Sequence, residues 1–207
     1  PLSALDQASK TKLLKLILNI QKQLNLVILY VSHSLDELQQ VCDNILVLSQ
    51  GKVVTYGNIH NVIHHLNSYI DDDVDSGMTH QQTSLSLPIR KHNYAHGLTA
   101  LALTVEQDIY IQTEVLTQTA GNLRCFILAR DISICLTEPS NSSIVNHLHG
   151  YISTIEHRQH QVLVTVNCGS QSFFVSISAF SQQKLALIIK QQVYLQFKAS
   201  AVRTFIH

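Results

Sequence analysis

Charge imbalance is the first thing this sequence lacks: 14 basic and 14 acidic residues cancel within 207. Without a net field to draw nucleic acid or anionic lipid, no nucleic-acid partner is expected, and any phosphate must be met by local groups. Long apolar runs are missing too. The most apolar stretch, LLKLILNI at 13–20, is broken by Lys15 and flanked by Lys10, Lys12 and Lys22, far short of the roughly 20 residues that span a bilayer. No charged segment followed by an apolar core and cleavage site opens the chain, so no export signal is expected. Cysteine is sparse: Cys42, Cys125, Cys135 and Cys168 lie far apart with no CxxC pair, which predicts reduced thiols in a cytosolic setting rather than a disulfide framework or zinc site. The single methionine is Met78 and the first residue is Pro1, a pattern expected of a piece of a longer protein.

Histidine is plentiful, with twelve residues, and 45% of the chain is hydrophobic, enough for packed cores. The groups His60, His64 and His65, His147 and His149, and His157 and His160 have no cysteine or carboxylate at ligand spacing. Solvated histidines and no metal site are the expectation.

From 6 to 25 the pattern is helical, with Asp6 as a candidate cap and Leu13, Ile17, Ile20 and Leu24 forming one apolar face. LVILYV at 26–31 has the continuous β-branched character of a buried parallel strand. Ser34 and Glu37 have capping-box spacing, which predicts a helix to about Cys42. NILVLSQGKVVTYG reads as a hairpin around Gln50-Gly51, and NIHNVIHHL at 58–66 as a short helix capped by Asn58. The acidic, apolar-poor stretch 68–84 has linker composition and separates an α/β region, 1–67, from 85–207. Beyond the linker, LTALALTV, DIYIQTEV, LRCFILARDISI, GYISTIEH, QVLVTVNCG, SFFVSIS and VYLQFKAS alternate as short strands, interrupted by one helix at 178–188. Their spacing predicts a small β-barrel or sandwich. Residues 85–137 and 143–207 are candidate similar β units, though without an exact repeat.

On residues alone, His33 in YVSHSLDE has four readings: catalytic base, metal ligand, phosphate sensor or surface turn histidine. Taken in order, PLSALD at 1–6, YVSHSLDE at 30–37 and VLSQGKVVTYG at 47–57 resemble the ATP-binding cassette of transport ATPases: the D-loop, the switch histidine and the hairpin after it. The resemblance implies that His33 senses and orients the terminal phosphate of ATP, and that Ser3 and Asp6 sit where two cassettes face each other. Asp6 is also a simple helix cap. The 207 residues contain no GxxxxGK(S/T) loop, no LSGGQ-type signature and no Walker B aspartate and glutamate. They match the last third of such a domain, which by itself is not expected to hydrolyse ATP.

ARDISI at 129–134, SSIVNHLHGYISTI at 142–155 and VYLQFKASAV at 193–202 are similar to the C-terminal extension of molybdate-importer ATPases, an OB-like Mop/TOBE barrel. The fold class implied is an α/β remnant of a P-loop cassette followed by an all-β barrel. The family's oxyanion site carries over to Ser143, Asn146, Lys198 and the backbone at Ala199. Val145 stands where the family has arginine, which removes a bidentate donor and a full charge. Lys198 has an equally available reading as a solvated strand-edge lysine.

The resemblance implies an ATP-hydrolysing subunit of a molybdate or tungstate importer, using ATP and Mg2+ with molybdate as a regulatory ligand. Such a subunit works as a homodimer beneath two transmembrane permease subunits, served indirectly by a periplasmic molybdate-binding protein. It lies peripherally on the cytoplasmic face of the bacterial inner membrane. The alternatives are import of sulfate, iron, sugar or polyamine, or a stand-alone oxyanion-binding module without ATPase activity.

Overall fold

The computed structural model describes residues 6–68, 81–113, 121–158 and 161–204. They form two compact units, one on each side of residue 80.

The first unit opens with α1, Gln7–Leu24, capped as expected by Asp6, whose carboxylate accepts from the Ser9 amide at 3.0 Å. Asn25, in the left-handed region at φ 49°, closes the helix. Among the described side chains of α1, Leu14 is buried, while Ile20 and Leu24 of the expected apolar face are exposed. Helix α2, Leu35–Val41, is followed by the hairpin of β1, Asn44–Ser49, and β2, Lys52–Asn58. The hairpin turns at Gln50 and Gly51, both at positive φ, the geometry that matches strand twist in a two-residue turn. Helix α3, Ile59–Ser68, follows directly, with Asn58 accepting from the His60 amide at 3.0 Å. Leu35, Leu38, Ile45, Ile59, Val62 and Ile63 make the small core of this unit.

Residues 26–31 depart from expectation. They carry no strand pairing, and Val27, Leu29 and Val31 are largely exposed. A parallel strand needs a neighbour for its ladder, and the one sheet described in this unit is the β1–β2 hairpin.

Among the described residues, the second unit contains ten strands. They are β3 (Gln82–Asn93), β4 (Leu98–Ala102), β5 (Asp108–Gln112), β6 (Asn122–Leu128), β7 (Ser133–Cys135), β8 (Asn146–His157), β9 (Val162–Cys168), β10 (Gln171–Ile177), β11 (Gln192–Phe197) and β12 (Arg203–Thr204). Two five-stranded sheets result, ordered β12-β6-β3-β4-β5 and β10-β9-β8-β11-β7. The two halves of the sequence do not form separate barrels. The first half sends β7 into the second sheet and receives β12 in return, and side chains of both sheets share one core from Leu85 to Val202. LRCFILARDISI, read as one strand, is broken by a 3-10 turn at Ala129–Asp131 into β6 and β7, which lie in different sheets.

Strand β3 has no counterpart in the sequence reading, because Pro88 interrupts it and polar residues dilute its alternation. Gln82, Thr83 and Leu85 are buried in it, so the expected linker gives way to strand by Gln82; its remainder, 69–80, lies outside the described residues. Pro88 is tolerated because it stands where β3 exchanges one partner for another, β6 over 82–88 and β4 from Ile89 on, beside a bulge. Helix α4, Ala179–Lys184, is shorter than the expected 178–188 and is capped by Ser178. In β8, a Cβ on Gly150 would lie 2.5 Å from the Asn167 carbonyl oxygen and 2.6 Å from Cys168 Sγ, so the strands approach there only because the side chain is absent.

All four cysteines are free thiols. Burial pushes the Cys125 and Cys168 thiols up to about 12, whereas Cys42 and Cys135 are half-buried. Iodoacetamide at about pH 8 is expected to modify Cys42 and Cys135 in the folded chain, and Cys125 and Cys168 only after unfolding. Peptide mass spectrometry reads the order; equal rates at all four would mean that the shared core opens freely.

Candidate functional site

His33 occupies a bend between the exposed run 26–31 and α2, and its side chain faces solvent. The bend is held by its neighbours. Ser34 caps α2 by accepting from the Glu37 amide at 3.4 Å, which is half of the expected capping box. The other half is absent: the Ser34 amide donates to Ser32 Oγ at 3.1 Å instead of to Glu37. Glu37 turns away and is nearly buried, at 9% exposure. Its Oε2 accepts from the Ser32 hydroxyl at 2.8 Å and the Tyr30 hydroxyl at 3.0 Å. Its Oε1 faces Lys10 Nζ of α1 at 3.3 Å. Burial opposes ionisation of Glu37, but the donors from Ser32, Tyr30 and Lys10 outweigh it, so the carboxyl titrates below its ordinary value. Tyr30 is pushed the other way, to about 12, by its burial and by the bond to Glu37. Glu37 was legible in the sequence only as a capping residue; its link to Lys10 spans 27 positions.

Asp6 sits at the exposed start of α1, and Ser3 lies outside the described residues. Among the described residues, no group of three His, Cys, Asp or Glu side chains could hold a metal ion.

In the second unit, Asn146 pairs with Phe197 where β8 begins and β11 ends. The ladder therefore brings the segment of Ser143 and Asn146 beside that of Lys198 and Ala199. Ser143 and Lys198 are exposed, Ala199 is buried, and Val145 is 43% exposed. Asn146 differs from the others. Fully buried, it accepts from the Tyr110 amide at 2.7 Å and donates to the Tyr110 carbonyl at 2.9 Å. Gln107 reciprocates by accepting from the His149 amide at 3.1 Å and donating to its carbonyl at 3.4 Å. Two side-chain amides thus replace a backbone ladder between β5, the edge of one sheet, and β8 of the other. The carboxamide offered by sequence as an oxyanion ligand is committed to the protein's own backbone in this conformation.

Residues 142–204 match the TOBE domain. Over 60% of its length the chain is similar in fold to the cytoplasmic molybdate-binding protein ModG, solved with molybdate bound, at a TM-score of 0.52 and 15% identity, covering 96% of that chain. In sequence, the chain is homologous to ATP-binding subunits of importers. More narrowly, it is homologous to the molybdenum import ATP-binding proteins ModC. It is 36% identical to that of Mannheimia succiniciproducens over 203 residues, 98% of this chain. Identity is 36% to the Haemophilus influenzae protein over 202 residues and 31% to the Vibrio cholerae protein over 206. The chain spans 56% of the length of the first two relatives and 55% of the third.

Proposed function

We propose that the chain belongs to the ATP-hydrolysing subunit of a molybdate or tungstate importer. The observation that carries this reading is the similarity to ModC proteins along 98% of the chain. In this reading ATP binds where the cassettes of a homodimer meet, with Ser3 and Asp6 at the dimer interface and His33 on the terminal phosphate. A solvent-facing imidazole on a capped bend suits that task, since one ring nitrogen can donate to a phosphate oxygen where charge develops. Mg2+ at such a site is held by one or two side chains together with the nucleotide's own phosphates, and the P-loop that cradles those phosphates in the family is not among the 207 residues. The 207 residues alone are expected to be inactive as an ATPase.

Two transmembrane permease subunits are the proposed partners, with a periplasmic molybdate-binding protein acting through them at the cytoplasmic face of the bacterial inner membrane. No helix among the described residues is long and apolar enough to cross a membrane itself. Residues 1–67 would be cassette and 85–207 the regulatory barrel. There, the Ser143 hydroxyl, the Lys198 ammonium and the Ala199 backbone would meet a small tetrahedral dianion, with Asn146 holding their segment in place. Val145 supplies no charge to that site.

Uptake into vesicles carrying the full-length subunit and its permease partners tests the reading. Molybdate and tungstate are expected to drive ATP-dependent uptake, and sulfate, iron, sugars and polyamines are not. Uptake of one of the latter instead would overturn the assignment. Calorimetric titration of the chain with molybdate tests the barrel separately; absence of heat at millimolar ligand would remove the sensing role and leave the transport reading standing.

A further inference from the structure

One carboxylate anchors the bend that presents His33. Ser32 and Tyr30, just before the histidine, both donate to Glu37 Oε2, at 2.8 and 3.0 Å. Ser34, just after it, donates its amide to Ser32 Oγ at 3.1 Å. Residues 30, 32 and 34 are therefore tied to Glu37 directly or through Ser32, leaving His33 as the exposed vertex. The remaining oxygen of Glu37 meets Lys10 Nζ at 3.3 Å, one turn into the helix whose first turn Asp6 caps.

Packing alone does not account for the arrangement: the Tyr30 ring lies against the core of this unit, but Ser32, Ser34 and Lys10 are not among its apolar contacts. Leu35 and Leu38 supply the buried apolar contacts of α2, and an N-terminal glutamate serving only as a cap would return to the Ser34 amide. A nearly buried carboxylate with donors from two separate elements fixes their mutual register, the best-attested use of buried ionic groups.

We propose that Glu37 is a positioning residue for His33 and, through Lys10, ties the placement of the imidazole to the Asp6 end of α1. The inference rests on the reading of His33 as the phosphate-orienting group. Glu37→Gln keeps size and one acceptor oxygen but loses the charge facing Lys10; Lys10→Met removes the same link from the other side.

In the full-length subunit, each substitution is expected to lower kcat for ATP roughly tenfold to a hundredfold while KM changes by less than about twofold. The double variant should be no slower than the slower single variant, because both break one connection. In the 207-residue chain, amide exchange at 32–35 should accelerate in Glu37→Gln while exchange in β8 and β9 is unchanged. Wild-type kcat in Glu37→Gln and Lys10→Met, alongside loss of turnover in His33→Ala, would overturn the positioning role alone. A fall in turnover that tracks a lowered melting temperature, with unchanged exchange at 32–35, would overturn it as well. Full turnover in His33→Ala would overturn the phosphate reading and the inference with it.

Discussion

His33→Ala in the full-length subunit is expected to lower ATP turnover by roughly a hundredfold to a thousandfold, the loss seen when one preorganised donor is removed from a developing oxyanion. Nucleotide affinity should change by less than about threefold, because uniform binding of ATP depends on many other phosphate contacts. The structure makes the experiment clean. His33 is exposed and makes no hydrogen bond among the described residues, so alanine leaves no cavity and no orphaned partner. The cap from Ser34 and the links among Ser32, Tyr30 and Glu37 do not involve the ring. The melting temperature should therefore stay at the wild-type value, and a surface substitution of this kind is usually worth less than about 0.5 kcal/mol. Steady-state ATPase measurements on the assembled importer decide the matter: wild-type kcat would reduce His33 to a surface turn residue.

Local chemistry was legible from sequence. Asp6, Ser34 and Asn58 all stand at helix starts where a short polar side chain accepts a free amide, and Gln50-Gly51 turns the hairpin. These signals act over two to four residues, within reach of a pattern. Glu37 shows where that reach ends. Its spacing from Ser34 announced a capping box, but Lys10, Tyr30 and Ser32 compete for the same carboxylate and win. Residues 26–31 show a related limit: apolar β-branched composition indicates what a segment can bury, not whether a partner strand lies beside it. Strand β3 was hidden by Pro88 because the change of ladder partner that accommodates a proline is a tertiary fact. The oxyanion positions fall midway. Sequence named Ser143, Asn146, Lys198 and Ala199 by resemblance, and the β8–β11 register sets their two segments side by side. The amide clamp of Asn146 onto a backbone 36 residues away had no local sign.

That clamp carries the largest expected stability effect. Asn146→Ala is expected to destabilise the barrel by roughly 2–4 kcal/mol, since it takes the side-chain partner from both backbone groups of Tyr110 at a half-buried sheet edge, at about 1–2 kcal/mol each, and leaves a small void where the fully buried amide stood. Tyr110 cannot recover these bonds from a neighbouring strand. Its ladder partner is Ala100 on β4, and the opposite side is the free edge that Asn146 covers. Against a typical stability of about 5–15 kcal/mol, such a loss shows plainly in a denaturant titration. Asn146→Asp sharpens the test. The acid keeps an acceptor for the Tyr110 amide, but when ionised it presents an oxygen to the Tyr110 carbonyl, where the native amide donates at 2.9 Å. Burial and that repulsion raise its folded-state pKa above the unfolded value of about 3.9, so the variant's deficit is smallest at low pH and grows as pH rises through that window. A residue acting only as an oxyanion ligand would behave differently. Alanine would then leave the denaturation midpoint unchanged and weaken molybdate binding instead, so denaturation and calorimetry on the same variant separate a ligand from the clamp that holds the two sheets together.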